Sequence, residues 1–244
     1  MGLGLGSSLS SPVYSQQETA YAVTRSVDLD GTNQHIIITN SVADDIKNIG
    51  SVSIWFKSDA AFQNDTFFNL HTDTSNDNKI ALLYLDATSK VRLNCRGSSS
   101  NTIIDADLTH DNSSWVHLVA TWNRTANTMA IYINGSVAKT GTNAIADFAT
   151  TANKIYLGKP GNADNAFFDG HLSSLSLFDA ALSASNVTTL YNSGKPGDVS
   201  ASGISSLVAW LPLDETSGNF IDRTSTGADG VPINTPTQGV EDVP

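Results

Sequence analysis

The segment SSWVHLVATWNRTANTMAIYINGSVAKTG, Ser113 to Gly141, constrains this chain more than any other. Trp115, His117, Val119 and Thr121 alternate with Val116, Leu118, Ala120 and Trp122, a period of two with apolar residues on both faces. A strand of that kind lies between layers rather than on a solvated surface. Asn123 to Asn127 supplies a polar turn, after which Met129, Ile131 and Ile133 resume the alternation. The pair Asn134-Gly135 suits the two positive-φ positions of a type I′ turn, so the strands on either side of it form a hairpin. The pattern points to a β-sandwich and away from a catalytic α/β domain.

Further short strands are expected near Gln34 to Ile38, Val52 to Lys57, Phe67 to His71, Ile80 to Leu85, Lys90 to Arg96, Thr102 to Ala106, Asn153 to Leu157 and Gly170 to Phe178. Turns rich in Asp, Asn, Ser and Gly separate them, the spacing of an antiparallel sandwich. Helix should be scarce. The acidic residues are nearly all Asp, which goes with turns, and only Glu18, Glu215 and Glu241 are Glu, the acid that long helices favour. The best helical stretch is Ser183 to Tyr191, where Ser183 caps the first turn, Val187, Leu190 and Tyr191 form an apolar stripe, and Gly194 and Pro196 end it.

These patterns divide the 244 residues into three parts. Residues 1–24 form a Gly-, Ser- and Gln-rich arm that buries too little to fold alone. Either it is disordered or it orders against a neighbouring subunit through Leu3, Leu5, Leu9, Val13 and Tyr14. Residues 25–197 form the compact sandwich. Residues 198–244 form an extension whose apolar run Leu207 to Leu213, with Pro212 favouring an edge, contributes a strand to the sandwich or to another subunit. Trp210 in that run joins the arm residues as an interface candidate.

A formal net charge of −11 argues against nucleic acid, which rewards clustered Lys and Arg. No run approaches the about 18 apolar residues of a membrane span, and the first residues lack the basic start and apolar block of a secretory signal. Cys95 is the single cysteine, which excludes an intrachain disulfide and fits an inert core position. The histidines, at 35, 71, 110, 117 and 171, are dispersed, which disfavours a transition-metal site. No cofactor is required by the pattern. Calcium remains open, because hard oxygen ligands crowd Asp73 to Asn78 and Asn162 to Asn165 with Asp169. Asp73, Asp77, Asp164 and Asp169 are the ligand candidates. Sugar binding would need exposed aromatic rings beside polar groups. Trp55, Trp115 and Trp122 read as core, leaving Phe67-Phe68, Phe167-Phe168 and Trp210 as the rings open to solvent.

Several stretches together resemble the concanavalin A-like lectin/glucanase superfamily, in particular its laminin G-like, pentraxin-like domains. They are SVDLDGTNQHIII at Ser26 to Ile38, SVSIWFKS at Ser51 to Ser58, the Ser113 to Gly141 segment, NKIYLGKPG, and FFDGHLSSLSLFDAALSASNVTTLYNSG ending at Gly194. The resemblance implies a jelly roll of two antiparallel sheets with one short helix on the C-terminal side. Two departures stand out. Leu172-Ser173-Ser174 occupies the place where the family commonly has an apolar residue followed by Asp-Glu. LVAWLPLDETSGNFIDRTSTGADG resembles the segment that often opens such a domain, yet here it comes last, so that a late strand would fill a position normally supplied from the N-terminal side.

Glucanases of this fold use two Glu residues on one strand, one as acid and one as nucleophile or base. The placement of Glu18, Glu215 and Glu241 excludes that pair, and the chain is expected not to be an enzyme. An arm, a strand-like tail and no catalytic set lead to the expectation of an assembly protein. On this reading it is a phage or virion surface protein, decorating a capsid or associated with a fibre, a homo-oligomer with a trimer as one option, with capsid protein as a further partner, and assembled in the host cytoplasm. The alternative is a carbohydrate-binding module of the same fold, assisted by calcium, with a glycan as partner.

Overall fold

The structure, a computed structural model, describes residues 20–59, 64–72, 78–97, 100–109, 113–145, 148, 151–161 and 165–244. Two antiparallel sheets face each other. In the first, the order is β10 (Ser136–Gly141), β9 (Thr128–Ile133), β8 (Val116–Asn123), β3 (Ile49–Ser58), β12 (Asp169–Phe178), β1 (Ser26–Asp30) and β15 (Thr237–Val240), with β13 (Leu207–Leu211) also paired to β12. In the second it is β14 (Gly230–Ile233), β2 (His35–Thr39), β11 (Lys154–Leu157), β4 (Thr66–His71), β5 (Lys79–Leu85), β6 (Lys90–Arg96) and β7 (Asn101–Asp107). This is the all-β jelly-roll sandwich expected from the period-two patterns. No helix among the described residues is long and apolar enough to cross a membrane.

The double-faced alternation of β8 has a direct structural cause. Leu118, Ala120 and Trp122 enter the core between the sheets, while Val119 joins a second apolar cluster on the outer face of the first sheet. That outer cluster is roofed by the helix α2 (Ala184–Tyr191), which buries Val187 and Leu190. Ser183 caps α2 by accepting a hydrogen bond from Asn186 N at 3.2 Å, and Asn192 ends it in the left-handed conformation. The β9–β10 turn places Asn134 at φ 49° and Gly135 at φ 79°, as a type I′ turn requires. A short helix, α1 (Val42–Ile46), has no counterpart in the sequence reading; its last carbonyl accepts the Trp122 indole N–H at 2.7 Å.

The last segment of the chain is woven into both sheets. One edge of β12 is shared: Val27 to Asp30 pair with its first half, and Leu207 to Leu211 with its second. The changeover falls at a bulge, where Ser174 adopts φ 45° and its N–H donates to Pro212 O at 2.8 Å. β15 borders β1, and β14 borders β2. Trp210, an interface candidate, is only 1 % exposed, wedged edge-on against Tyr21 with ring centroids 5.4 Å apart. Its ring is occupied within the chain and is not offered to a partner. Phe67, Phe68 and Phe168 are likewise fully buried, and Phe167 nearly so: the register of β4 against β5 shifts between Thr66 and Phe68, and Phe167 and Phe168 precede β12, where strand alternation does not apply.

Candidate functional site

Alternation along β1 turns Val27 and Leu29 into the core and leaves Ser26, Asp28 and Asp30 on the outer face of the first sheet. The same rule on β12 sends Asp169 and His171 outward. The register then sets Asp28 opposite His171, and His171 opposite Lys57 of β3. Asp59 follows β3 directly, and its N–H donates to Asp169 O at 3.2 Å. The outcome is a band of charge: Asp28, Asp59 and His171 hold ligand-type atoms within 4.8 Å of one another, with Asp30 and Asp169 beside them.

The electrostatics reflect this crowding. Burial, reinforced by the carboxylates of Asp59, Asp169 and Asp30, raises the Asp28 pKa, although His171 opposes the rise. Asp169 is raised by burial and by Asp59 and Asp30. The ammonium of Lys57, the residue opposite His171, is already committed, since its Nζ pairs with Asp242 of the C-terminal segment. Asp242 also accepts the Trp115 indole N–H at 2.9 Å, and its backbone carbonyl accepts the Ser26 hydroxyl at 2.7 Å. Burial pushes the Asp242 carboxyl upward, but the hydrogen bonds from Lys57 and Trp115 outweigh it and hold the group below the ordinary range.

Trp115 adjoins this band, its ring centroid 6.1 Å from that of His171. Trp115 also lines a cleft of about 490 Å³ together with Asp107, Thr109, Ser114 and Asn134. The sequence reading placed Trp115 in the core. The structure instead buries Trp55, Trp122 and Trp210 and leaves Trp115 partly exposed. The reason is position: Trp115 precedes the first paired residue of β8 and sits at the rim of the sandwich.

Of the calcium candidates, Asp169 lies beside the cluster, whereas Asp73, Asp77 and Asp164 fall outside the described residues. Leu3, Leu5, Leu9, Val13 and Tyr14 fall outside them as well. Asp28, Asp59 and His171 were missed because they come from three separate stretches, and only strand register brings them together. Those three residues could hold a metal ion. Glu215 follows β13 and Glu241 follows β15, so the two described glutamates do not share a strand.

Residues 30–188 match the family described as the concanavalin A-like lectin/glucanases superfamily. The chain belongs to that superfamily. Among solved structures it is similar to a native heptameric SAP-like pentraxin from Limulus polyphemus, at 18% identity and a TM-score of 0.62, over 91% of this chain and 97% of that one. It is similar to the CBM40 of the Ruminococcus gnavus IT-sialidase bound to α2,3 sialyllactose, at 12% identity and a TM-score of 0.56, over 70% of this chain and 100% of that one. A third likeness is to domain 4 of AbnA, a GH43 extracellular arabinanase from Geobacillus stearothermophilus, in complex with arabinotriose. There the identity is 22% and the TM-score 0.54, over 68% of this chain and 76% of that one. At these identities the likeness shows the fold. No curated protein matches the sequence.

These neighbours correct the expectation of a virion surface protein. They are a pentraxin and two domains solved with a bound sugar, not capsid or fibre components, and the arabinanase is extracellular. Capsid decoration, a capsid partner and a virion location are therefore withdrawn. Arm and tail segments carry no information about a particle or a ligand.

Proposed function

We propose that the chain is a carbohydrate-binding module whose sugar platform is the exposed face of Trp115. The observation that carries this reading is the environment of that ring. Trp115 is the one tryptophan not buried, its indole is anchored by Asp242, and it adjoins a cleft with hydroxyl, amide and carboxylate groups around it. A pyranose or furanose presents an apolar C–H face and a hydroxyl rim, which match a fixed aromatic ring edged by Ser114, Thr109, Asn134 and Asp107. The cleft volume falls in the range of small-ligand sites. Metal assistance, part of the same reading, would draw on the Asp28, Asp59 and His171 cluster beside the ring. Self-association also fits, by analogy with the heptameric pentraxin, and would raise avidity for repeated glycans.

A glycan array followed by titration calorimetry with the best binder tests the proposal. Saturable binding that weakens about tenfold or more in Trp115→Ala, and also in Ser114→Arg, which fills the cleft from its solvent side, is the expected result. Absence of saturable binding to any glycan, or binding indifferent to both variants, overturns it.

A further inference from the structure

The Asp28, Asp59 and His171 cluster is arranged more specifically than a chance meeting of acids. His171 is 8 % exposed, and its two ring nitrogens face different partners. Nδ1 lies 3.4 Å from Ser26 Oγ, and the Ser26 hydroxyl spends its own proton on Asp242 O at 2.7 Å. Ser26 Oγ therefore has only a lone pair left for the ring, so Nδ1 carries the hydrogen. In neutral His171 that leaves Nε2 as a lone pair, yet Nε2 points at Asp59 Oδ2 from 3.2 Å. Two lone pairs at that separation repel unless a positive charge lies between or upon them. A proton on Nε2 satisfies the pair alone, but not Asp28, whose carboxylate completes the cluster and, among the described residues, has only the ring itself as a cationic neighbour.

We infer that Asp28, Asp59 and His171 form a binding site for a divalent transition-metal ion of the zinc class, with His171 ligating through Nε2. The donor set decides the class: an imidazole nitrogen with two carboxylates suits zinc, whereas calcium prefers oxygen alone. The His171–Asp59 spacing agrees, because donors about 2.0 Å from a tetrahedral ion lie about 3.3 Å apart, close to the Nε2–Oδ2 separation of 3.2 Å, and the Asp28 carboxylate, within 4.8 Å, would close in on the ion. Ser26 orients the ring from behind, the position that partners of metal-bound histidines commonly occupy. Three protein donors leave at least one coordination position for water or for an oxygen of a bound molecule. Asp30 and Asp169 add negative charge around the ion. The ion would join β1, β12 and the residue after β3, on the face that also carries α2. This inference stands on the cluster itself and does not depend on sugar binding.

The test is titration calorimetry of the full chain with zinc chloride, and separately with calcium and magnesium chlorides, in the absence of any glycan. One zinc per chain, bound at least tenfold more tightly than calcium, is expected. Asp59→Asn, at a half-exposed position, and His171→Gln should each weaken zinc binding tenfold or more, and Ser26→Ala by a smaller factor, with circular dichroism confirming that each remains folded. The zinc complex should also shift the His171 Nε2 resonance in ¹⁵N spectra while leaving Nδ1 protonated. Tighter calcium than zinc binding, no saturable zinc binding, or zinc binding unchanged in both Asp59→Asn and His171→Gln overturns the assignment.

Discussion

His117 stacks on Trp55, with ring centroids 4.7 Å apart and planes 28° from parallel, and its Nε2 lies 2.8 Å from Ser53 Oγ. Tyr191, at the end of α2, closes over both rings. The imidazole is fully buried, and burial pushes its pKa down from 6.5 to about 3.

Acid should therefore destabilise the fold through this residue. Because the folded-state pKa lies below the unfolded one, the unfolded chain takes up the proton first. Stability is intact above about pH 6.5 and declines as pH falls toward about 3, by up to about 1.4 kcal/mol per pH unit. Melting temperatures measured from pH 7 to 4 should fall less steeply in His117→Phe than in the parent. Parallel curves would show that His117 does not drive the acid sensitivity.

Trp210 ties the C-terminal segment to the sandwich. Its indole N–H donates to Ser174 Oγ at 3.2 Å, and its backbone N–H donates to Asp222 Oδ1 at 2.9 Å. Replacing the ring by Ala should cost about 3–5 kcal/mol, a drop in Tm of roughly 10 °C for a chain of this size. A thermal melt within about 2 °C of the parent would refute the claim that this ring belongs to the fold.

Gly170 separates Asp169 from His171 and adopts φ +135°, and a Cβ there would meet Lys57 O at 2.3 Å. Gly170→Ala should push β12 away from β3, lowering stability by a few kcal/mol through both strain and backbone clash. Denaturant unfolding reads the loss. A midpoint equal to the parent's would mean that the strands accommodate the methyl group.

Cys95 faces the core from β6, fully buried, and burial lifts its thiol to about 12. A thiol reagent such as a chromogenic disulfide should leave it untouched in the native protein and label it at the rate of global unfolding. Labelling within seconds in native buffer would contradict this placement.

Much of the fold was legible because single strands carry their own signature. Two apolar faces on β8 could be satisfied only by a layer on each side, and the structure supplies a second sheet and α2. Asn134-Gly135 announced its turn through backbone chemistry alone, and Ser183 announced a cap. The site was far less legible. Asp28 and His171 are neighbours only because β1 pairs with β12 in one register, and a slip of β1 by one residue would turn Asp28 to the opposite face, away from His171. Trp115 misled for the complementary reason: its period matched the buried set, but it precedes the paired part of β8, where alternation no longer implies burial. Helix α1 is too short to leave a periodic trace.

The edges of β1 and β2 are covered by β15 and β14, strands that belong to the last stretch of the sequence. A ribosome releases β1 and β2 about 200 residues before β14 and β15, so in the emerging polypeptide two strand edges wait unpaired while everything between them is made. Contacts of such long sequence separation make closure slow. The interval before closure is when two nascent chains, side by side on one message, are most prone to pair with each other instead of with themselves.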